Sequence, residues 1–241
     1  MQLEIAAQSL TSARHAQVAG AHRIELCAEL GVGGLTPSYG LITQVLEELE
    51  LPVHILIRPR SGDFMYNETE LSTMERDIHF CVSKGCAGVV AGALTKDLQI
   101  DKEATARLQE AAGDLNFTFH RAFDWTSDPL EAFDAILELG VDTLLTSGQA
   151  PNAAAGLPIL ERLQERAGEK LVIMPGGGIR PENAAVFYKS GFKFVHASAT
   201  LPVERLTTKP PVPMNSERML DETMLFETNV DRIRDILEKI G

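Results

Sequence analysis

Charged residues that could carry acid–base chemistry stand where apolar runs of this chain end. One run ends in His120 and Arg121, with Asp124 just beyond, and an earlier run ends in Arg58. An imidazole titrates near neutrality and suits general acid–base work, whereas a guanidinium group matches the geometry of a carboxylate or phosphate. Barrel enzymes place such charges at the carboxyl ends of their strands. These residues therefore predict a site for a small anionic substrate.

Alternation along the predicted strands places further polar side chains on shared faces. Glu25 shares a face with Cys27, Arg58 with Arg60, Thr118 with His120, and His196 with Ser198, and Glu4 can join them. In a barrel, one face of each strand lines the lumen. A buried unpaired charge is costly, so these groups have to pair with one another or bind a ligand. Three interpretations remain open: the groups form a functional mouth, they form a purely structural ion-pair layer, or some of them face the helices.

Three consecutive glycines, Gly176, Gly177 and Gly178, follow the seventh predicted strand, just before a helix. Glycine lets the backbone approach an anion closely, and amides at the start of a helix point towards it. Phosphate sites in barrels commonly use the loops after strands seven and eight, which adds Ser198. Ser147 offers a hydroxyl at the end of the sixth strand. The pattern predicts an anion-binding turn, with an ordinary tight turn as the alternative.

Eight short apolar runs alternate with segments of helical periodicity. Strands are predicted at 3–7, 23–28, 53–58, 88–93, 117–122, 143–147, 171–174 and 194–198. Helices are predicted at 9–19, 37–49, 68–84, 101–112, 129–139, 156–167, 181–190 and 230–239. This order at this length favours an α/β fold, a TIM-type (β/α)₈ barrel, over an open doubly wound sheet.

The 241 residues are predicted to form one domain. The eight strands and their helices occupy 1–198, and 199–241 form a C-terminal arm and helix. The proline-rich segment 200–214 is expected to be irregular. The last helix either closes the barrel or packs on a second subunit.

The composition bears on partners and location. The formal net charge is −12, which disfavours nucleic acid and anionic membranes as partners. No apolar run approaches the ~20 residues that a membrane-spanning helix needs. The three cysteines are too few and too scattered for a disulfide framework, which agrees with a cytoplasmic location.

The combined motifs resemble those of the CutC family. They are segments 24–27, 57–64, 119–124, 145–148 and 174–179. The resemblance implies a TIM-type barrel, a cytoplasmic location and a homo-oligomer, with a dimer favoured. It also implies a role in copper homeostasis, with Cys27 matching a proposed copper ligand; copper is the cofactor that the family label implies, and the residues themselves name none. Taken without the family, a lone cysteine is more often a small core residue than a metal ligand.

Three hypotheses follow, and they leave open whether the chain is an enzyme. In the first, the chain binds or handles copper through Cys27. In the second, it is a lyase or isomerase acting on a small phosphorylated or carboxylated metabolite; Arg58, Arg60 and Arg121 hold the anion. His120, paired with Asp124 or Glu25, then moves protons. In the third, a catalytically silent barrel works through protein contacts of the 200–214 arm.

Overall fold

Eight parallel strands form one sheet that closes on itself almost completely. The computed structural model describes residues 1–208, 211–212, 214 and 223–241. The strands are β1 (Gln2–Ala7), β2 (Arg23–Leu26), β3 (Val53–Leu56), β4 (Gly88–Ala91), β5 (Asn116–Phe119), β6 (Thr143–Thr146), β7 (Val172–Pro175) and β8 (Phe194–Ala197). Their order is β7-β6-β5-β4-β3-β2-β1-β8, and a parallel bridge between Gly176 and His196 joins the two ends. The predicted TIM-type barrel is confirmed, and the open doubly wound alternative is wrong.

Helices surround this sheet. They are α1 (Leu10–Ala19), α2 (Tyr39–Glu48), α3 (Glu68–Lys84), α4 (Lys102–Ala112), α5 (Pro129–Leu139), α6 (Leu157–Ala167), α7 (Pro181–Lys189) and α8 (Val230–Ile240). Their ends follow local chemistry. The side chain of Ser9 caps α1 and that of Asn67 caps α3, each accepting a backbone N–H of the first turn. Gly20 and Gly85 end the same helices in the left-handed conformation that glycine adopts without strain.

The two faces of each strand carry different side chains. Phe117 and Phe119 belong to the large apolar core that includes buried residues of the helices. Thr118 and His120 alternate with them, so they lie on the lumenal face. A second, small apolar cluster consists of Cys27, Leu56 and Val90.

Part of the segment expected to be irregular is a strand. Residues Thr200–Glu204 (β9) pair antiparallel with Met224–Thr228 (β10). The partner strand lies twenty residues further along the chain, so local composition could not reveal the pairing. Positions 209, 210 and 213 of the predicted 200–214 segment lie outside the described residues. Thr228 fastens the hairpin to the barrel, since its N–H donates to Ser12 Oγ at 3.2 Å.

The C-terminal helix packs within its own chain. Helix α8 contacts α1 and α7, and it buries Ile233, Ile236 and Ile240 completely or nearly so. It therefore closes the outer layer of the barrel, which was one of the two predicted roles. Along the described ranges, no helix combines the length and apolar character that a membrane crossing requires.

We expect Ile236→Ala to lower the free energy of unfolding by about 2–5 kcal/mol, because the buried side chain leaves a cavity between α8 and the barrel. Val18→Ala on α1 is the matched control, since Val18 is 66% exposed and its loss changes stability by about 0.5 kcal/mol at most. Urea denaturation of both variants measures the difference. Equal stability of the two variants would contradict the described packing of α8.

Candidate active site at the barrel mouth

A cavity of about 540 Å³ opens at the carboxyl ends of the strands. This volume suits a small ligand, and the position is where barrel enzymes bind substrates. The predicted site residues that line it are Glu25, Arg58, His120, Arg121, Gly177, Gly178 and Ser198. The cavity wall does not include Arg60, Asp124, Ser147, Gly176 or Cys27.

A row of buried charged side chains lies at the floor of the mouth. Arg23 Nε donates to Glu4 Oε2 at 2.5 Å, and His196 Nδ1 lies 2.7 Å from Glu4 Oε1. On the far side of the imidazole, His196 Nε2 lies 3.6 Å from Glu25 Oε2. That separation is within ion-pair range but longer than a hydrogen bond. A buried polar layer of the predicted kind is therefore present, and Arg23 is an additional member of it.

Two carboxylates of this group, Glu4 and Glu25, have opposite pKa shifts. Burial alone would raise the pKa of Glu4, but the hydrogen bond from His196 and the charge of Arg23 lower it to about 2. Burial raises the pKa of Glu25 to about 7; the charge of His196 opposes the shift and that of Glu4 adds to it. Burial would lower the pKa of His196, yet Glu25 and Glu4 together raise it. Glu25 is therefore the carboxylate that can exchange a proton near neutral pH.

His120 is held as a neutral imidazole. The N–H of Ala122 donates to His120 Nδ1 at 3.3 Å, so the ring proton resides on Nε2. Burial, with the nearby charge of Arg58, lowers the pKa of His120 to about 3. Within the described ranges no acceptor meets the buried Nε2. The ring offers a hydrogen-bond donor, and it does not pair with Asp124 as one of the predicted arrangements required.

Asp124 instead positions Arg121 and the end of β6. Its carboxylate accepts from Arg121 Nε at 2.7 Å and from the N–H of Ser147 at 3.0 Å. Ser147 Oγ also accepts from Arg121 Nη2 at 3.1 Å. Asp124 and Ser147 thus orient the guanidinium group towards the cavity without lining it.

Arg58 and Arg60 bind groups of the protein's own loops and helix α3, so neither guanidinium group is free to form an anion site. The guanidinium group of Arg58 donates to the carbonyls of Val32 (2.8 Å), Gly34 (3.0 Å) and Gly62 (2.7 Å), which fastens two loops at the mouth. The strand ends at Leu56, so alternation no longer applies at Arg60. Arg60 turns outward and forms ion pairs with Asp63 and Glu70. The predicted placement of Arg60 at the mouth is not what the structure shows.

The glycine turn presents free amides. Gly177 and Gly178 adopt φ values of 96° and 76°, where glycine is favoured. Among the described residues, none accepts a hydrogen bond from the amide of either glycine. A Cβ at Gly177 would lie 3.1 Å from the guanidinium carbon of Arg121, so the glycine also makes room for that arginine. Gly176 lies below them and donates its N–H to the Thr146 carbonyl.

Two further arginines, not among the predicted site residues, complete the positively charged side of the cavity. Arg180 occupies the N-cap position of α7, two residues after Gly178, and Arg232 lies in the first turn of α8. The position of Arg180 next to the glycines was a usable signal. Arg232 had none, because only the tertiary packing of α8 brings it to the mouth.

Two lumenal residues were likewise missed. Arg23 and His54 follow by alternation from Glu25 and Arg58, so period-2 counting could have found both. Burial and the charge of Arg23 lower the pKa of His54 to about 4. His54 lies below the cavity, beside Gly88, where a Cβ would lie 2.6 Å from its ring.

Cys27 does not form a copper site with its described neighbours. It is buried beside Leu56 and Val90, and its thiol donates to the Ala7 carbonyl at 3.6 Å. Burial and the nearby charge of Glu25 raise the pKa of this thiol, whereas a Cu(I) ligand must be a thiolate. Across the described residues, no group of three or more His, Cys, Asp or Glu side chains is arranged to hold a metal ion.

The raised pKa of Glu25 predicts a pH-dependent stability. Between pH 4.5 and about 7, the folded chain keeps a proton on Glu25 that the unfolded chain has released, so the folded state loses stability as pH rises. The loss is of the order of 3 kcal/mol at about 1.4 kcal/mol per pKa unit. Glu25→Gln removes this titration. We therefore expect the free energy of unfolding of Glu25→Gln minus that of the native chain, measured by urea denaturation, to be larger at pH 8 than at pH 5. The exposed Glu110→Gln is the control, and parallel pH profiles for the native chain and Glu25→Gln would contradict the assignment.

Comparison with known proteins identifies the family. Residues 1–201 match the model of the CutC family. A family protein CutC of Chromobacterium violaceum is 46% identical over 241 residues, covering 99% of this chain and 97% of the relative. The human copper homeostasis protein cutC homolog is 40% identical, with 97% and 87% covered. The solved structure of a CutC protein from Streptococcus agalactiae is 36% identical, with a TM-score of 0.77 over 82% of this chain and 98% of that one. The chain belongs to the CutC family.

Proposed function

We propose that the chain is a lyase- or isomerase-type enzyme that binds a small phosphorylated or carboxylated metabolite at the barrel mouth and moves a proton on it. One observation carries the proposal: a single cavity joins an arginine-rich anion side to the Glu25–His196 proton pair. A structural ion-pair layer alone would not need an open cavity above it.

The anion-binding side of the cavity is positively charged, although the chain as a whole is acidic. The formal net charge is −12, yet Arg121, Arg180 and Arg232 converge on one cavity with the amides of Gly177 and Gly178. Guanidinium groups and free backbone amides are the donors that bind phosphate and carboxylate oxygens. Both features support an anionic ligand.

The proton pair supplies the chemistry. A carboxylate with a pKa of about 7 exists in both protonation states at neutral pH, which is the condition for general acid–base work. Isomerisation, epimerisation and aldol-type cleavage all need this step. None of them requires a cofactor for the proton transfer itself.

The second candidate function is copper homeostasis, which the name of the human relative states. The family membership supports it. The neutral, buried thiol of Cys27 does not supply a copper site with its described neighbours, so this role would operate through other residues or through the metabolite bound at the mouth.

The acidic charge and free cysteines support a cytoplasmic chain that has no nucleic-acid or membrane partner. A homo-oligomer, with a dimer favoured, stays a prediction from the family resemblance.

Inorganic phosphate is the probe for the anion side. We expect the native chain to bind phosphate in isothermal titration calorimetry, and Arg232→Ala to weaken the affinity about tenfold, the effect of losing one charged hydrogen bond. Arg234→Ala is the matched control, because Arg234 sits on the same helix and pairs with Asp231. Equal affinity for both variants, or no binding by the native chain, would contradict the anion site.

An anaerobic Cu(I) titration against a competing chelator tests the copper candidate at Cys27. We expect Cys27→Ala to bind Cu(I) as the native chain does, since the thiol lacks a second ligand among the described residues. Loss of a tight site in this variant alone, with Cys86→Ala as the control, would restore Cys27 as a copper ligand.

A further inference from the structure

We propose that the group reacting at the mouth is a carbonyl beside a hydroxyl-bearing carbon, as in a phosphorylated hydroxyketone or hydroxyaldehyde. His120 binds the carbonyl oxygen, and Glu25 carries the proton between the two carbons. This inference rests on the proposed function and specifies its substrate class.

The geometry of His120 makes it a donor to a ligand. The Ala122 N–H occupies Nδ1, which leaves the proton on Nε2. His120 lines the cavity and is only 5% exposed, and Nε2 has no acceptor within the described part of the chain. An unmade hydrogen bond at a buried donor is unfavourable, and a ligand oxygen would supply the missing acceptor.

Gly92, which directly follows β4, leaves the space for this ring. A Cβ at Gly92 would lie 2.8 Å from His120 Nδ1 and 2.9 Å from the Phe119 ring, so glycine there admits the imidazole. The Phe64 ring lies 4.9 Å from the imidazole, centroid to centroid. Glycine and aromatic packing together fix the direction in which Nε2–H points.

The charge state of His120 selects the kind of oxygen. The ring is buried beside the cation Arg58, which keeps it neutral across the physiological range. The arginines that line the same cavity, Arg121, Arg180 and Arg232, are better donors to a phosphate or carboxylate. A neutral donor in a dry site matches a carbonyl oxygen, whose negative charge grows as an adjacent proton leaves.

Glu25 is on a different wall of the same cavity. It projects from β2, whereas His120 follows β5, so a ligand between them meets a base on one side and a donor on the other. The 3.6 Å separation from His196 leaves the Glu25 carboxylate able to accept a proton. Glu4 and Arg23 act as positioning residues, because they hold His196 through its Nδ1.

The reaction balances without a co-reactant. The Glu25 carboxylate takes the proton from the carbon beside the carbonyl; the C–H electron pair forms a carbon–carbon double bond, and the carbonyl pair moves onto oxygen. His120 Nε2–H gives its proton to that oxygen, and the imidazole recovers a proton from the neighbouring hydroxyl. Glu25 then returns its proton to the former carbonyl carbon. The sum is an isomerisation with no net change in atoms or electrons.

Exchange of carbon-bound hydrogen for deuterium tests this step. The native chain is incubated in D₂O with glyceraldehyde 3-phosphate, erythrose 4-phosphate, ribulose 5-phosphate and fructose 6-phosphate, and proton NMR follows the signal beside the carbonyl. We expect exchange above the protein-free rate with at least one probe. Glu25→Gln should lower the rate at least 100-fold, and His120→Phe by a comparable factor. His120→Asn, which keeps an N–H donor, should recover part of the rate, and the exposed Glu110→Gln should leave it unchanged.

Phosphate binding separates the two levels of the proposal. If the native chain and His120→Phe both bind inorganic phosphate but no probe exchanges, the carbonyl inference is wrong and the anion site stands. If phosphate does not bind either, the proposed function fails with it. Exchange that persists in Glu25→Gln overturns the role of Glu25, and equal rates for His120→Phe and His120→Asn overturn that of His120.

Discussion

The interaction on which this structure depends is the double contact of the Glu4 carboxylate. Glu4 is fully buried on β1, and its register partners are Arg23 on β2 and His196 on β8. Its two oxygens bind these two partners, so one side chain ties three strands at the place where the sheet closes. His196 also makes the bridge to Gly176 that joins β8 to β7. An isolated carboxylate there would be too costly, so the sequence has to supply both cations together.

The same contact determines what the mouth can do. Because Glu4 is ionised beneath it, His196 is held with its Nδ1 towards Glu4 and its Nε2 towards Glu25. Glu25 shares that imidazole at a greater distance and lies near a second negative charge, so burial prevails and its pKa rises. Two carboxylates of similar burial thus acquire different protonation states from their partners. A group needed for stability and a group suited to proton transfer arise from one cluster.

Much of this arrangement could be predicted from the sequence, because it follows local rules. Apolar runs, helix caps and terminal glycines predict the positions of all eight barrel strands. Alternation along those strands predicts that Glu25, His120 and His196 face the lumen. The errors arose where local rules end. Arg60 follows the end of β3, so counting in twos no longer held, and β9 depends on a partner twenty residues away. Hydrogen-bond partners, such as Asp124 with Arg121 instead of His120, are likewise set by tertiary packing.

The family model ends before the last helix, whereas the full-length relatives align with nearly the whole chain. The family model matches residues 1–201, which contain the Glu4 cluster, His120 and the glycine turn. Arg232 lies beyond this match, on a helix held by its apolar face against α1 and α7. The Asn229 N–H donates to the Ala199 carbonyl and fixes the start of that helix at the mouth. Glu25 and His196 are therefore positioned by the barrel itself, whereas Arg232 depends on how the C-terminal helix packs. Under the proposed function, we expect substitutions in that helix to change which anion is bound while the proton transfer stays the same.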